Sequence, residues 1–307
     1  MALYAFDGTW NSATLYDDVD ADDETNVARF CESYGETRWY VAGPGTRFGK
    51  VGRVIGGATG MGARTRMRAA YDQLCRNFAE GDTTIDIIGF SRGAALALDF
   101  ANKIDDDGVR KPDSKDVVVD QPVIRFLGLW DVVGSFGIPI SGAVIPFQQI
   151  NFGHQLSLPD CVRYCFHAMA LDERRQTFRI TRIPKAYEVW FRGVHSDIGG
   201  GNGNIGLSHI ALRWMLRKAH AAGLPIAAST IAARDEAINP MAQVRPSKDL
   251  IPNEHRGLLQ GDRFHYTVTE RPDHNNPPSE HVRESERDEG IAVEVAALPQ
   301  RQVRPAA

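Results

Sequence analysis

The stretch TTIDIIGFSRGAALALDF, residues 83–100, indicates the fold of this chain. It opens with a short apolar run rich in β-branched residues, Ile85 to Ile88, which is typical of a strand. A turn over GFSRG, residues 89–93, leads into an Ala- and Leu-rich run with the composition of a buried helix. Strand, G-x-S-x-G and helix in this order predict a nucleophile elbow, a sharp turn that lifts a serine above a sheet.

The glycines of this turn have a physical role in such an elbow. Ser91 would adopt a backbone conformation that bulky residues resist, and Gly89 and Gly93 would let strand and helix approach each other around it. The helix that follows would direct its N-terminal N–H groups toward charge developing on a substrate. The alternative is an ordinary turn between strand and helix, because G-x-S-x-G alone is a common pattern.

Strands and helices alternate along most of the chain. Strands are predicted at residues 2–6, 38–41, 85–88, 123–129, 187–191 and 263–268. Helices are predicted at residues 67–78, 94–100, 160–175 and 207–214, and the charged stretch 103–116 as a surface loop. This alternation predicts an α/β fold with a mostly parallel sheet flanked by helices.

Composition narrows the class of protein. The 307 residues are 43% apolar, which is ample for a core, and a net charge of −4 gives no electrostatic reason to expect nucleic acid as a partner. The four cysteines form no zinc pattern, because Cys161 and Cys165 share one face of a predicted helix without a second pair. We expect buried free thiols and a reducing compartment.

The N-terminus MALYAFDGTW has no basic region and meets Asp7 too early for a signal peptide. We therefore expect a cytoplasmic protein without a signal peptide. Delivery by a contact-dependent secretion system would be compatible with this sequence.

Four short polar motifs fall at the ends of predicted strands: DGTWN, GFSRG, WDVVG and VHSDIGGG. In parallel sheets the functional site lies off the carboxyl ends of the strands. The coincidence of the four motifs therefore predicts one shared site.

A serine nucleophile needs a base and an acid that orients the base. His195 is the candidate base, because it follows a strand and precedes a triple glycine. Asp131, just past the end of another strand, is the candidate acid, and the chain order Ser91, Asp131, His195 is that of α/β-hydrolases. Asp197 is the alternative acid. Asp197 lies only two residues from His195, so on an extended chain we expect its side chain to point away from the site. It could instead cap the loop.

An acyl-transfer site also needs N–H donors for the oxyanion. We expect one from Arg92, directly after the nucleophile, and a second from Gly8 or Thr9 in the DGTWN motif. The alternative for DGTWN is a plain turn with Asp7 as a cap.

Two other chemistries were weighed against this site. Haloacid-dehalogenase phosphatases open with D-x-D-G-T, but Ala5 stands where their nucleophilic aspartate belongs, so that mechanism is rejected. Asp7, Asp131, Asp197 and Asn202 or Asn204 could in principle hold calcium or magnesium, but no ligand spacing supports this. We expect no metal and no cofactor.

The segment 132–159 contains no Asp, Glu, Lys or Arg. Glycines and prolines break it repeatedly, so it does not read as a membrane-spanning helix. A buried core excursion is one interpretation. Because it begins beside Asp131, we instead predict a lid or acyl-binding insertion in which Val144, Ile145 and Phe147 contact substrate.

Five motifs together resemble a known family: FDGTWN (6–11), GFSRGA (89–94), WDVVGS (130–135), ALDERR (170–175) and GVHSDIGGG (193–201). In this order they look like the α/β-hydrolase family that contains the type VI secretion phospholipase effectors. The resemblance covers roughly the first 215 residues. It implies a Ser/Asp/His hydrolase acting on glycerophospholipid acyl esters, with contact to a membrane surface and, for a secreted effector, an immunity protein as partner.

We therefore predict one α/β-hydrolase catalytic domain over residues 1–268 and a polar C-terminal extension over 269–307. Its predicted function is cleavage of carboxylic esters, foremost those of phospholipids or other lipids, through an acyl-serine intermediate. The alternative is a non-catalytic interaction protein that retains the fold.

Overall fold

The computed structural model describes residues 1–8, 24–42, 61–134, 155–244, 254–269, 271 and 284–286. In chain order the strands are β1 (Ala2–Phe6), β2 (Thr37–Val41), β3 (Ile85–Phe90), β4 (Val109–Arg110), β5 (Val117–Val119), β6 (Ile124–Trp130), β7 (Val162–Ala170), β8 (Tyr187–Phe191), β9 (Arg263–His265) and β10 (Glu284–Glu286). The α-helices are α1 (Asn26–Ser33), α2 (Met61–Ala79), α3 (Arg92–Asp107), α4 (His195–Gly199), α5 (Ile205–Ala221), α6 (Ala228–Ala232) and α7 (Tyr266–Thr269).

Within the described ranges, eight of these strands form one sheet in the order β10-β9-β8-β7-β6-β3-β1-β2. Every neighbouring pair in this sheet is parallel. The short strands β4 and β5 form a separate antiparallel pair. The predicted α/β fold with a mostly parallel sheet flanked by helices is confirmed.

Helices cover both faces of the sheet, because its central strands are apolar on both sides. On β1, Tyr4 and Phe6 face the layer formed by α2 and α3. Leu3 and Ala5 face the opposite layer, formed by α1 and α5. The ring of Phe100 on α3 lies 5.4 Å from that of Tyr4 and 5.3 Å from that of Phe6. The core therefore has three layers. Because the strands are parallel, their carboxyl ends lie together at one edge of the sheet.

The helix predicted over residues 160–175 is wrong, because Val162–Ala170 forms β7 in the middle of the sheet. Its last six residues are all buried, since the strand is covered on both faces. Such a strand shows no alternation of apolar and polar residues. Cys165 and His167 therefore lie on a strand. The four cysteines are buried and free, as predicted.

Two other segments differ from the prediction. The stretch 103–116 is a loop only in part, since α3 continues to Asp107 and β4 follows at once. Ion pairs of Asp107 with Lys103 and Arg110 lie at this end of the helix. The strand predicted over 263–268 ends at His265, where the chain enters α7.

The polar extension 269–307 contributes to the sheet, because β10 pairs in parallel with β9. The domain boundary after residue 268 stays a prediction. Of the helices in the described ranges, none has the length and apolar character to cross a bilayer.

Candidate active site

Ser91 stands on a strained turn between β3 and α3. Its backbone has φ 59° and ψ −125°, a region that residues with a side chain rarely adopt. Two backbone hydrogen bonds hold the turn: the Ser91 N–H donates to the Trp130 carbonyl at 2.9 Å, and the Val133 N–H donates to the Ser91 carbonyl at 3.3 Å. Both partners lie in or just after β6, so the strand next to β3 fixes the serine.

The glycines on either side of Ser91 are required by close backbone contacts. A Cβ on Gly93 would lie 2.3 Å from the Phe6 carbonyl oxygen and 2.4 Å from that of Asp7. A Cβ on Gly89 would lie 2.7 Å from the Ala94 Cα. The end of β1 and the start of α3 therefore approach the turn more closely than any side chain would allow.

The structure brings the three predicted residues Ser91, Asp131 and His195 into one hydrogen-bonded chain. His195 Nε2 lies 2.8 Å from Ser91 Oγ, and His195 Nδ1 lies 2.6 Å from Asp131 Oδ2. Because an ionised carboxylate can only accept, Nδ1 carries the proton, and Nε2 faces the serine hydroxyl with its lone pair. This arrangement can accept the proton of an attacking hydroxyl.

Two aromatic rings enclose the imidazole of His195. The centroids of the Phe90 and Phe178 rings each lie 4.7 Å from it. Phe90 is itself seated on Gly199, where a Cβ would lie 2.0 Å from its ring. Burial lowers the pKa of His195, and the hydrogen bond and charge of Asp131 offset this only in part. The imidazole is therefore biased toward its neutral form.

The segment that carries His195 is held by two neighbouring acids of the ALDERR motif. The Gly193 N–H donates to Asp172 at 2.7 Å, and the His195 N–H donates to Glu173 at 3.1 Å. Arg175 pairs with Glu173 at 2.8 Å. Both acids fall within the helix predicted over residues 160–175, and neither was predicted as a site residue. Two acids directly after a buried run, at the end of what proves to be β7, are the signal that could have identified them.

Asp197, the alternative acid, stabilises the loop instead. Its carboxylate accepts from the Val194 N–H at 2.9 Å and from the side chains of Asn202 at 2.8 Å and Asn204 at 2.9 Å. Of the two candidate acids, Asp131 is the one that contacts His195.

The three carboxylates considered as metal ligands, those of Asp7, Asp131 and Asp197, each bind different partners. Asp7 accepts from the hydroxyls of Thr25 and Tyr40, whereas Asp131 and Asp197 make the contacts given above. Among the residues that the structure describes, no group of three His, Cys, Asp or Glu side chains is placed to hold a metal ion.

The predicted oxyanion donors are described only in part. Arg92 begins α3, so its N–H lies at the positive end of the helix dipole. The Gly8 N–H donates to Asp7 Oδ1 at 2.6 Å. Thr9 lies outside the described residues, as do Val144, Ile145 and Phe147, the predicted substrate contacts.

Arg256 is a site residue that the sequence analysis missed. Its Nη1 lies 2.5 Å from Asp131 Oδ1 and its Nη2 2.9 Å from Asp131 Oδ2. Burial alone would raise the pKa of Asp131, but the charge of Arg256, together with hydrogen bonds from Arg256 and His195, holds it well below its usual range. Nothing in the local sequence NEHRGLL indicates this role.

Comparison with known proteins agrees with the motifs. The family model for the catalytic domain of Tle1-like phospholipase effectors of the type VI secretion system matches residues 3–120 and 108–218. No curated protein sequence matches this chain significantly.

Two solved structures are similar. An uncharacterized protein from Pseudomonas aeruginosa is 21% identical with a TM-score of 0.51, over 76% of this chain and 48% of that one. A Tle1 effector bound to the VgrG spike from the type 6 secretion system is 21% identical with a TM-score of 0.44, over 67% of this chain and 51% of that one. The chain thus spans about half the length of these two proteins.

At 21% identity, the likeness to the Pseudomonas aeruginosa protein shows the fold alone. The family model, by contrast, covers more than half of the 307 residues and includes all five motifs quoted from the sequence. The resemblance inferred from those motifs is confirmed, and this chain belongs to the family of Tle1-like catalytic domains of type VI secretion phospholipase effectors.

Proposed function

We propose that this chain is a serine hydrolase that cleaves carboxylic esters, foremost phospholipid acyl esters, through an acyl-serine intermediate. The observation that carries the proposal is the continuous hydrogen-bonded chain from Ser91 through His195 to Asp131. Membership of a phospholipase effector family supports lipid esters as the substrate class.

The first half-reaction follows from this geometry. Ser91 Oγ attacks the ester carbonyl carbon while its proton passes to His195 Nε2. The Asp131 carboxylate orients the imidazole and stabilises the imidazolium that forms. When the tetrahedral intermediate collapses, the bond to the leaving alcohol breaks and His195 donates its proton to that oxygen. The acyl group stays on Ser91.

The second half-reaction returns the enzyme to its starting state. Water attacks the acyl carbonyl and gives a proton to His195, which then passes it to Ser91 Oγ as the carboxylic acid leaves. Arg92 supplies one oxyanion N–H and Gly8 or Thr9 the second. The Gly8 N–H is bonded to Asp7 here, so it would have to turn toward the substrate before it could act.

Acyl chains need apolar surface near the serine. We assign this role to Val144, Ile145 and Phe147 in the uncharged segment 132–159, because the segment begins beside Asp131. Each methylene buried there would contribute about 0.8 kcal/mol. The partners proposed with this function are a membrane surface, a type VI secretion machine for delivery and an immunity protein.

Labelling with a fluorophosphonate probe tests the proposal, since it reports an activated serine whatever the substrate. Ser91→Ala should abolish labelling and lower hydrolysis of a soluble ester and of phospholipid vesicles by about 10³- to 10⁶-fold. Ser229→Ala, an exposed serine on α6, is the matched control and should behave as the wild type. Undiminished turnover in Ser91→Ala would refute the mechanism, and a folded wild type that is never labelled would favour a non-catalytic interaction protein.

A further inference from the structure

We propose that Arg256 is a positioning residue that locks the Asp131 carboxylate onto His195. The segment 254–269, which lies beyond the residues matched by the family model, would thereby complete the active site. What this predicts for turnover rests on the proposed function.

The contacts of Arg256 match this role. Its two terminal nitrogens bind the two oxygens of Asp131 in the bidentate geometry that a planar guanidinium favours. The Ala170 N–H donates to the same carboxylate at 2.8 Å. His195 Nδ1 binds Oδ2 of the same carboxylate, so both oxygens of Asp131 are hydrogen-bonded. The carboxylate therefore cannot rotate away from His195 without breaking several charge-assisted hydrogen bonds.

Arg256 also connects the elements around the imidazole. Nη1 donates to the Ala170 carbonyl at 2.7 Å, at the end of β7. Nη2 donates to the Phe178 carbonyl at 2.8 Å, and the Phe178 ring packs against His195. Only 5% of the Arg256 side chain is exposed, so these bonds are shielded from water. One side chain thus fixes both the acid and a wall of the imidazole pocket.

The segment carrying Arg256 is fastened on both sides. Before it, the Glu254 N–H donates to the Arg174 carbonyl at 3.0 Å. After it, Asp262 accepts from the Trp190 indole at 2.9 Å and pairs with Arg182 at 2.5 Å. Because Trp190 belongs to β8, the strand that leads to His195, the segment is anchored to the same part of the sheet as the base.

The charges that face His195 set the direction of a pH effect. These charges are those of Asp131 at the end of β6, Glu173 after β7, and Arg256. Burial lowers the pKa of His195, as does the charge of Arg256. The two carboxylates favour the imidazolium, whereas Arg256 repels it. Removing the guanidinium charge should therefore raise the pKa of His195, and the acidic limb of the kcat/KM profile should move to higher pH.

The test compares the full chain with Arg256→Met, Arg256→Lys and Arg179→Met. Arg179 is exposed one residue past Phe178, so Arg179→Met is a control for the loss of an arginine and should behave as the wild type. The readouts are kcat and KM on a short soluble ester, their pH profiles, and the His195 pKa from NMR of labelled histidine in a Ser91→Ala background.

Arg256→Met should lower kcat on the order of 10- to 100-fold with little change in KM, because the catalytic groups lose alignment. Its His195 pKa should rise, and the acidic limb should move to higher pH with it. Arg256→Lys keeps the positive charge but loses the bidentate contact of the guanidinium with Asp131. It should therefore lower kcat while leaving the acidic limb of the pH profile in place.

A folded Arg256→Met with wild-type kcat and His195 pKa would overturn the proposal. If that variant does not fold, wild-type kcat in Arg256→Lys would overturn it instead. A wild type without turnover that still shows the expected NMR shift would refute the proposed function and leave the positioning of His195 by Arg256 in place.

Discussion

The pH dependence of stability tests how Asp7 is held at the end of β1. Only 2% of this residue is exposed. Its carboxylate accepts from the hydroxyls of Thr25, at 2.7 Å, and Tyr40, and from the Gly8 N–H. Burial nevertheless outweighs these hydrogen bonds and raises the pKa of Asp7 from 3.8 to about 6. Folding therefore favours the protonated carboxyl.

The magnitude follows from the difference between the folded and unfolded pKa. About two units correspond to about 3 kcal/mol, at 1.36 kcal/mol per unit. Because the folded pKa is raised, this contribution is fully present below about pH 4 and is lost as pH rises through about 6. Asp7→Asn cannot titrate there. The free energy of unfolding of the wild type minus that of the variant should thus fall by about 2 kcal/mol, most of the full contribution, between pH 4 and pH 7.

The assay is urea unfolding of both proteins at several pH values in this range. Asp72→Asn, at an exposed position on α2, controls for the loss of one carboxylate. A difference in the free energy of unfolding between wild type and Asp7→Asn that stays constant from pH 4 to pH 7 would refute the reasoning. Ionisation of Asp7 would then not destabilise the folded protein.

The remaining predictions concern the acid and the uncharged segment. Asp131→Asn should lower kcat by about 10⁴-fold, since the wrong tautomer of His195 would face the serine, whereas Asp197→Asn should lower it far less because Asp197 contacts only the loop. Steady-state kinetics on a soluble ester checks this, and a larger loss in a folded Asp197→Asn would contradict the assignment. Phe147→Asp should impair hydrolysis of long-chain, aggregated lipids while sparing a short ester. Equal loss on both, with a lowered melting temperature, would mean that Phe147 belongs to the core.

Elements bounded by clear local signals were predicted closely. The bounds of β1 and β8 match the prediction residue for residue, because each is a short, mostly apolar run with a glycine two residues past its end. The elbow at Ser91 was recognisable for a similar reason, since close packing demands Gly89 and Gly93 at fixed positions.

Local sequence patterns could not predict β7 as a strand. A strand buried on both faces is a continuous apolar run, and periodicity alone does not distinguish it from a segment of buried helix. Only the neighbours β6 and β8, which pair with it, decide between the two. Once β7 is a strand, Asp172 and Glu173 fall at its carboxyl end beside the other site motifs.

The site could be predicted where each residue follows a strand, as Ser91, Asp131 and His195 do. Their catalytic roles stay predictions. Arg256 could not be predicted, because its partner Asp131 lies 125 positions earlier in the chain and no periodicity links them. The contact depends on the path of the chain after α6, which tertiary packing determines.

The long separations within the site have a consequence for the order in which it is assembled during translation. Ser91 and His195 are 104 positions apart, and Asp131 and Arg256 are 125 apart. At about 5–20 residues per second, the ribosome adds the histidine roughly 5–20 s after the serine, and Arg256 later still. A nascent chain therefore carries Ser91 before its hydrogen-bond partner His195, and it carries both before Arg256, the arginine that binds Asp131. Under the proposed function, the membranes of the cell that makes this chain would meet all four residues together only after synthesis has passed residue 256.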